Sequence, residues 1–400
     1  MIDDTTKFQQ LLDEATRLGS SEPKPTIAEL VLRLKRAFPF APSETISLIA
    51  ETVQTRDIAA QKLGEWSRDG LFTKALLEQA SRSSIAQHRA TFFAGRKHAL
   101  EIGTGTGSDT AALARVCAHV TTLEADPERL ELAKHNLQVQ GISNVTFLQG
   151  EATEVLPLLD LAQYDSLFAD PARRTKDGTR VKSGNSYSPP LEWLLSLEIG
   201  TLRAIKVSPG LFIDAQDRGW SRQFVGYGDE CLEQTLWFGA SVPDSSAHLA
   251  DVNATWSPAA YSGPVANLAD TFEGFLVEPH GVINRSQYAH TFFAEHGIAM
   301  IDPQVAYGIT TAKPSPSPWY DSFRIFQAFP FHLKTLKTAL TELAWTNRTE
   351  IKKRNYQGSP EELRAKLKLP AHTHGAPFGT IFVFMRDNTA WVILAERLTE

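Results

Sequence analysis

Cysteine is nearly absent from this chain. Its 400 residues hold only Cys117 and Cys231, far apart and without the spacing of a metal or redox pair, which excludes a disulfide framework and fits a reducing compartment. Long apolar runs are missing too: nowhere do roughly 18 apolar residues follow one another, as a membrane span requires. The opening MIDDTTKFQQLLDEATRLG has neither the basic start nor the apolar block of a secretory signal. A cytoplasmic protein with no membrane partner is the expectation. Excess positive charge is lacking as well, the formal net charge being -6, so any nucleic acid must be held by a local patch. There is no HExxH or Ser-His-Asp arrangement, and His372-Thr-His374 sits in a loop with no third ligand at a useful spacing. No metal is expected. Internal repeats are absent, and the oligomeric state is left open, with a monomer favoured.

What the chain does have is an ordinary folded composition, 42% apolar and 22% charged, over a length that calls for two or three domains. Residues 1–95 read as an N-terminal helical domain, because FQQLLDEATRL, TIAELVLRLKRAF, SETISLIAETVQTRDIAAQKLGEW and GLFTKALLEQA all carry helical periodicity. Ser43, after a proline turn, is the expected N-cap of the third. From His98, short apolar runs alternate with amphipathic helices: HALEIG, SDTAALARVC, HVTTLEA, PERLELAKHNLQVQG, VTFLQG, YDSLFAD, LEWLLSLEIG and RAIKVSPG. That alternation predicts a parallel sheet wound by helices over residues 96–251, closed by the strand pair FVGYG and EQTLWFG. Residues 252–320 read as a linker with a small ferredoxin-like segment. Residues 321–400 read as a small α/β unit ending in a hairpin around Asp387-Asn388.

The chemistry-bearing residues gather at strand ends, where parallel sheets bind ligands. HALEI runs directly into Gly103, Gly105 and Gly107, glycines that let the backbone turn tightly and approach a ligand. The spacing is G-x-G-x-G with Glu101 two residues ahead. A dinucleotide fingerprint needs G-x-G-x-x-G, and Ser108 stands in its third-glycine place. This favours a nucleoside ligand without a pyrophosphate. Glu124, followed by Ala125, ends the second strand about 20 residues on, where an acid accepts hydrogen bonds from ribose hydroxyls, a device that NAD enzymes share. Glu151-Ala152 follows the third strand. There the acid either takes an adenine amino group or is an ordinary helix N-terminal acid.

The fourth strand ends in Asp170-Pro171-Ala172-Arg173, which brings a carboxylate to the rim of the same cleft. A carboxylate and a nearby backbone carbonyl can accept both N–H bonds of an exocyclic amine and aim its lone pair at an electrophile. Asp170 and Pro171 fit that role. Arg173 and Arg174 either bind phosphate bidentately or hold the loop by pairing with acids. Lys206, ending the next strand, is either a substrate contact or a strand-end charge. Near the C-terminus Lys352, Lys353 and Arg354 cluster beside Tyr356, and Arg364, Lys366 and Lys368 follow on a helix. This mixture of cations and an aromatic is one that nucleic-acid surfaces use, although a solvated helix and turn would look the same.

In their order and spacing EIGTGTGSDTAALA, LEADPERLELAKHNL, FLQGEA and FADPARR resemble the successive motifs of class I methyltransferases. The resemblance implies a Rossmann-like sheet and S-adenosylmethionine as cofactor, with S-adenosylhomocysteine as product. It places Glu101 near the methionine end, Gly103 to Gly107 along the cofactor, Glu124 and Ala125 at the ribose, and Glu151-Ala152 beside adenine. The DPAR loop is similar to the Asp/Asn-Pro-Pro-aromatic loop of amino methyltransferases acting on nucleic-acid bases, except that Ala172 replaces the second proline and Arg173 the aromatic. Together with LLEQASRSSIAQHRATFFAG, KVSPG, LVEPHGVI and EIKKRNYQGSPEELRAKLKL, the pattern resembles bacterial class I methyltransferases with a C-terminal THUMP-like domain. By analogy RNA is the implied partner, and an N-methylated base in tRNA or rRNA the implied product. The alternatives are an RNA-binding or assembly module with an inactive methyltransferase fold, a methyltransferase for protein or a small molecule, and last an NAD-linked oxidoreductase.

Overall fold

A computed structural model describes residues 5–173, 187–213, 219–258 and 262–398. The chain divides into two compact units, Met1–Ser221 with Gln234–Ser241, and Arg222–Glu233 with Val242–Glu400. Among the described residues no helix is long and apolar enough to cross a membrane.

The first unit opens with helices α1 (Thr5–Gly19), α2 (Ile27–Ala37), α3 (Ser43–Leu63), α4 (Lys74–Gln79) and α5 (Ser83–Thr91). Leu11, Leu12 and Ala15 of α1 and Leu30 and Leu34 of α2 meet Ile46 and Ile49 of α3 in a buried cluster, as amphipathic helices must. Thr26 caps α2 through a reciprocal capping box with Glu29. Ser43 is not the N-cap of α3: Pro42 takes that position without a side-chain bond, and Ser43 already has helical backbone. The proline, with no N–H to orphan, starts the helix one residue early.

The sheet of this unit follows, alternating β1 (His98–Ile102), α6 (Ser108–Ala114), β2 (His119–Glu124), α7 (Pro127–Val139), β3 (Val145–Gln149), α8 (Ala152–Val155) and β4 (Ser166–Ala169). After β4 come the short β5 (Ala172–Arg173) and β6 (Tyr187–Ser188), then α9 (Leu191–Ser196), β7 (Leu202–Val207) and, from Gln234 on, β9 (Glu230–Phe238); β8 (Ser221–Tyr227) past its first residue and the start of β9 are counted with the second unit. Strand order within the unit is β9-β7-β4-β1-β2-β3, all parallel except β9. The order reverses between β1 and β4, the switch point at which doubly wound sheets leave a ligand crevice. Helical residues 1–95 do not form a unit of their own. Asn136 of α7, with no exposed surface, accepts from Leu71 N and donates to the carbonyls of Leu71 and Thr106. It ties the helical segment to the glycine turn.

The second unit carries β10 (Ser245–Leu249), parallel to β8, and β11 (Ala254–Trp256). Next come β12 (Phe275–Pro279), α10 (Gly281–Ser286), α11 (Ala289–Glu295), β13 (Ala299–Met300), β14 (Gly308–Thr310), β15 (Tyr320–Pro330), α12 (Leu333–Glu342), β16 (Glu350–Arg354), α13 (Pro360–Leu367), β17 (Thr380–Arg386) and β18 (Thr389–Arg397). Seven of these strands form one sheet in the order β13-β14-β12-β15-β18-β17-β16. β15 begins at Tyr320, beside the position at which the sequence suggests a linker ending. The eleven-residue β15 has two edges to satisfy, and β12 pairs with it on one side as β18 does on the other. The hairpin turn at Asp387-Asn388 is present, both residues having positive φ, as a two-residue loop requires.

Candidate functional site

Parallel register assembles the site. Ile102 of β1, Ala169 of β4 and Ile205 of β7 lie side by side, so the residues that follow them, Gly103, Asp170 and Lys206, occupy one row at the carboxyl ends. On the other side Gly103 N bonds to Leu123 O, which brings Glu124 to the same rim. Gly103, Gly105 and Gly107 all have positive φ, 92°, 55° and 81°, a region glycine enters without steric cost. A Cβ on Gly103 would lie 2.5 Å from the carbonyl oxygen of Asp170, whereas one on Gly105 would meet nothing within 4 Å. The turn is therefore pressed against the fourth strand at its first glycine and open at its second.

Glu101 is fully buried on β1. Its Oε2 accepts from Thr110 Oγ1 at 2.5 Å and Thr122 Oγ1 at 2.7 Å, and Thr122 is itself 2.7 Å from Thr104 Oγ1. Its Oε1 has no hydrogen-bond partner. Burial pushes the Glu101 carboxyl up to about 8, against the pull of the two threonine hydroxyls. Because the folded-state value lies above the ordinary 4.5, stability linked to this group is complete below that value and is lost as pH rises through about 8. Glu101→Gln, which mimics the protonated form, should gain on the wild type as pH rises from about 6 to about 9 in cofactor-free denaturant unfolding. A gap that stays flat would show that Glu101 does not titrate there.

Glu124 is aimed by the backbone. Oε2 accepts from Gly105 N at 3.0 Å and Oε1 from Asp126 N at 3.1 Å, which leaves lone pairs on both oxygens for further donors. Ala125 follows it, half-buried, at the start of the loop into α7. Glu151 occupies the N-cap position of α8 without a side-chain capping bond, and Ala152 is buried behind it. The orphaned Oε1 of Glu101, the open side of Gly105 and the available carboxylate of Glu124 together fit a ligand with a cationic or N–H group at one end and hydroxyls at the other.

Asp170 keeps 31% of its side-chain surface and receives Lys206 Nζ at 2.9 Å on Oδ2. Desolvation raises its pKa from the ordinary carboxylate value, opposed chiefly by the Lys206 charge. Lys206 is thus a partner of Asp170, with Nζ also 3.0 Å from Ser81 Oγ. Pro171 is buried beside it. Arg173 enters β5, which pairs with β6, and Arg174 lies outside the described residues.

Strand alternation separates the C-terminal cations. Lys352 and Arg354 share a face of β16 and both pair with Glu278, Arg354 at 3.4 Å while stacking over Tyr307. Three strands lie between β12 and β16 in the sheet order, about 19 Å if flat, so the sheet curls until this triad stitches it. These two cations are internal ties. Lys353 points to the opposite, exposed side and donates to Tyr356 O. Arg364 is committed to the carbonyls of Asn347 and Thr349. Exposed cations come instead from Lys366 and Lys368 and from two lysines the sequence reading did not single out, Lys334 and Lys337 of α12. Helices α12 and α13 share a buried cluster with the sheet through Leu336, Leu340, Leu363 and Leu367, and these lysines lie on their exposed sides.

Also unforeseen were Ser81, Arg89 and Asp109. Arg89 of α5, 2% exposed, is ion-paired to Asp109 in the first turn of α6 and stacks 4.7 Å over Phe168 of β4. The signal was present as a lone arginine in the otherwise mild stretch SSIAQHRATFF. A separate cavity of about 640 Å³ in the second unit is lined by Phe272, Phe326, Trp391, Arg386, Asp270 and Glu273. Its carboxylates, with Asp387, outnumber its arginine, which makes it a poor phosphate site. Among the described residues no group of three His, Cys, Asp or Glu side chains is arranged to hold a metal ion.

Residues 95–182 match a protein family described as a methyltransferase domain, and residues 321–397 match one described as THUMP domain-like. An uncharacterized S-adenosylmethionine-dependent methyltransferase of Mycobacterium tuberculosis (strain ATCC 25618 / H37Rv) is 26% identical over 339 residues, 80% of this chain and 88% of that protein. A protein-L-isoaspartate O-methyltransferase from Myxococcus xanthus (strain DK1622) is 39% identical over 75 residues, 19% of this chain and 34% of that protein. The crystal structure of a candidate methyltransferase from Porphyromonas gingivalis W83 shares the fold across the whole of both chains, with a TM-score of 0.73 at 20% identity.

Proposed function

We propose, from the premise that this chain is an S-adenosylmethionine-dependent methyltransferase of the class I fold with a C-terminal THUMP-like domain, that it N-methylates a base in RNA. The observation that carries the reading is the row Gly103, Asp170, Lys206, in which the cofactor turn touches the acceptor carboxylate's own backbone. S-adenosylmethionine supplies an activated methyl group when bound. Glu124 receives the ribose hydroxyls on its remaining lone pairs, and the unpartnered Oε1 of Glu101, ionised by the cationic methionine end beside it, accepts from that end. Glu151 and Ala152 border the adenine. Asp170 accepts an N–H of the acceptor amine on the oxygen that Lys206 leaves free, and Pro171 keeps the strand end rigid. Because methyl transfer from an activated donor needs alignment and exclusion of water more than acid–base power, one oriented carboxylate suffices.

RNA as partner is supported by the outer face of α12 and α13, where Lys334, Lys337, Lys366 and Lys368 stand exposed. Arg348 stacks 4.4 Å over the partly exposed Phe378 in the same domain, a combination of cation and aromatic suited to single-stranded nucleic acid. Replacing the four lysines with glutamine is expected to weaken RNA retention at least about 10-fold at physiological salt and to lower the slope of log affinity against log salt by about 3. An unchanged slope would remove this face from the interface. The function itself is tested by labelled methyl transfer into bulk RNA from cells lacking the protein. Wild type is expected to label the RNA and Asp170→Ala not to. Retention of RNA without any transfer would favour a binding module, and transfer only to protein or small molecules would discard the RNA reading.

A further inference from the structure

The helical segment at the start of the chain has no chemistry in its sequence pattern, yet residues 81–89 reach three parts of the site. Ser81 accepts on its carbonyl from Ser108 Oγ at the start of α6, directly after Gly107, and its own Oγ meets Lys206 Nζ. Arg89 holds Asp109 and covers Phe168, two residues before Asp170. We propose that Lys206, seated by Ser81, is the positioning residue that sets the direction and charge of Asp170, so that the segment Ser81–Arg89 is a working part of the acceptor site. This rests on the reading of Asp170 as the carboxylate that faces the acceptor.

The geometry leaves little freedom for another role. Lys206 has 12% of its side-chain surface exposed, and two of its three N–H directions go to Asp170 Oδ2 and Ser81 Oγ. Register places it beside Asp170, and its bond to Ser81 Oγ holds it while it meets Asp170 Oδ2. Desolvation and the charge of Asp109 of α6 disfavour the ionised form of Asp170, and Lys206 of β7 with Arg89 of α5 favours it. Behind Lys206, Lys62 of α3 is anchored to the carbonyls of Leu77 and Glu78, and its pKa is lowered to about 8 by burial and by the nearby charges of Arg82 and Lys206. A desolvated carboxylate beside Asp109 accepts an amine N–H at neutral pH only if a cation holds it ionised. The helical segment supplies Arg89 itself, paired with Asp109, and Ser81, which holds Lys206.

The test compares Lys206→Met, Lys206→Arg and Ser81→Ala with wild type by methyl transfer into RNA across pH. Lys206→Met is expected to lower kcat at neutral pH about 100-fold and to move the acidic limb of the profile up by about one unit or more. Lys206→Arg should return at least about a tenth of the activity with the limb near its original place, and Ser81→Ala should lose about 10-fold, mainly in kcat. A Lys206→Met enzyme with an unmoved limb overturns the proposal, because a merely structural lysine would lower activity at every pH alike. If wild type labels no RNA, the RNA reading fails and thermal unfolding decides this proposal on its own. The Asp170 pKa is raised in the fold, and losing Lys206 raises it further, so ionising Asp170 costs the variant more as pH increases. The melting deficit of Lys206→Met should therefore grow between about pH 4 and about pH 8 and stop growing in the Asp170→Asn background. A deficit that is constant with pH, or that grows equally in that background, overturns it.

Discussion

Gly103→Ala is expected to abolish cofactor binding and to lower stability by about 3 kcal/mol or more, the sum of a left-handed backbone penalty of about 1–2 kcal/mol and a displaced strand end. The φ of 92° is one an alanine rarely adopts, and its Cβ would lie 2.5 Å from Asp170 O. That oxygen belongs to the backbone, which cannot rotate out of the way like a side chain. Either the glycine turn lifts away from β4 or the end of β4 moves, and each breaks the row that joins the glycine turn to Asp170. Gly105→Ala is the control. It carries the strain of a φ of 55° but meets nothing within 4 Å, so the protein should fold with a loss of about 1 kcal/mol while a methyl group projects into the open side of the turn. Calorimetric titration with S-adenosylmethionine and melting curves on both variants separate the two effects. Equal stability for Gly103→Ala and wild type would show that the contact with Asp170 is not rigid.

Asp170→Asn is expected to reduce methyl transfer by about 10²–10³-fold with cofactor affinity within a few-fold of wild type, the loss typical of removing one preorganised electrostatic partner. The amide keeps the shape but presents a neutral acceptor and an N–H donor where the site has a carboxylate. It also leaves Lys206, only 12% exposed in its side chain, without the charge of Asp170 as its counterpart. Single-turnover transfer measured beside cofactor titration isolates the chemical step from binding. A variant that transfers within about five-fold of wild type would remove Asp170 from the alignment role.

Most of the first unit was legible because its information is local. Each strand of the wound sheet is a short apolar run, each helix has its own period, and the three glycines, Glu124 and Glu151 sit at strand ends by sequence position alone. The missed N-cap at Ser43 is a one-residue error that proline geometry explains. Less legible was the second unit. Segment 252–320 read as a linker with a small ferredoxin-like segment, and its strands β13 and β14, of two and three residues, are too short for any periodic signal. The run Lys352-Lys353-Arg354 read as one basic patch because sequence adjacency hides the alternation of a strand.

By itself the sequence determined the class of fold, the place of the glycine turn and the acids that border it, since these depend on spacings within about 20 residues. Only the tertiary structure decided what the charged groups do. Lys206 meets Asp170 across 36 residues and Ser81 across 125, and Lys352 meets Glu278 across 74. Such pairs arise from the order and register of strands and from the curl of a sheet. Backbone hydrogen bonding and the burial of apolar faces set those features collectively, and no single segment records them.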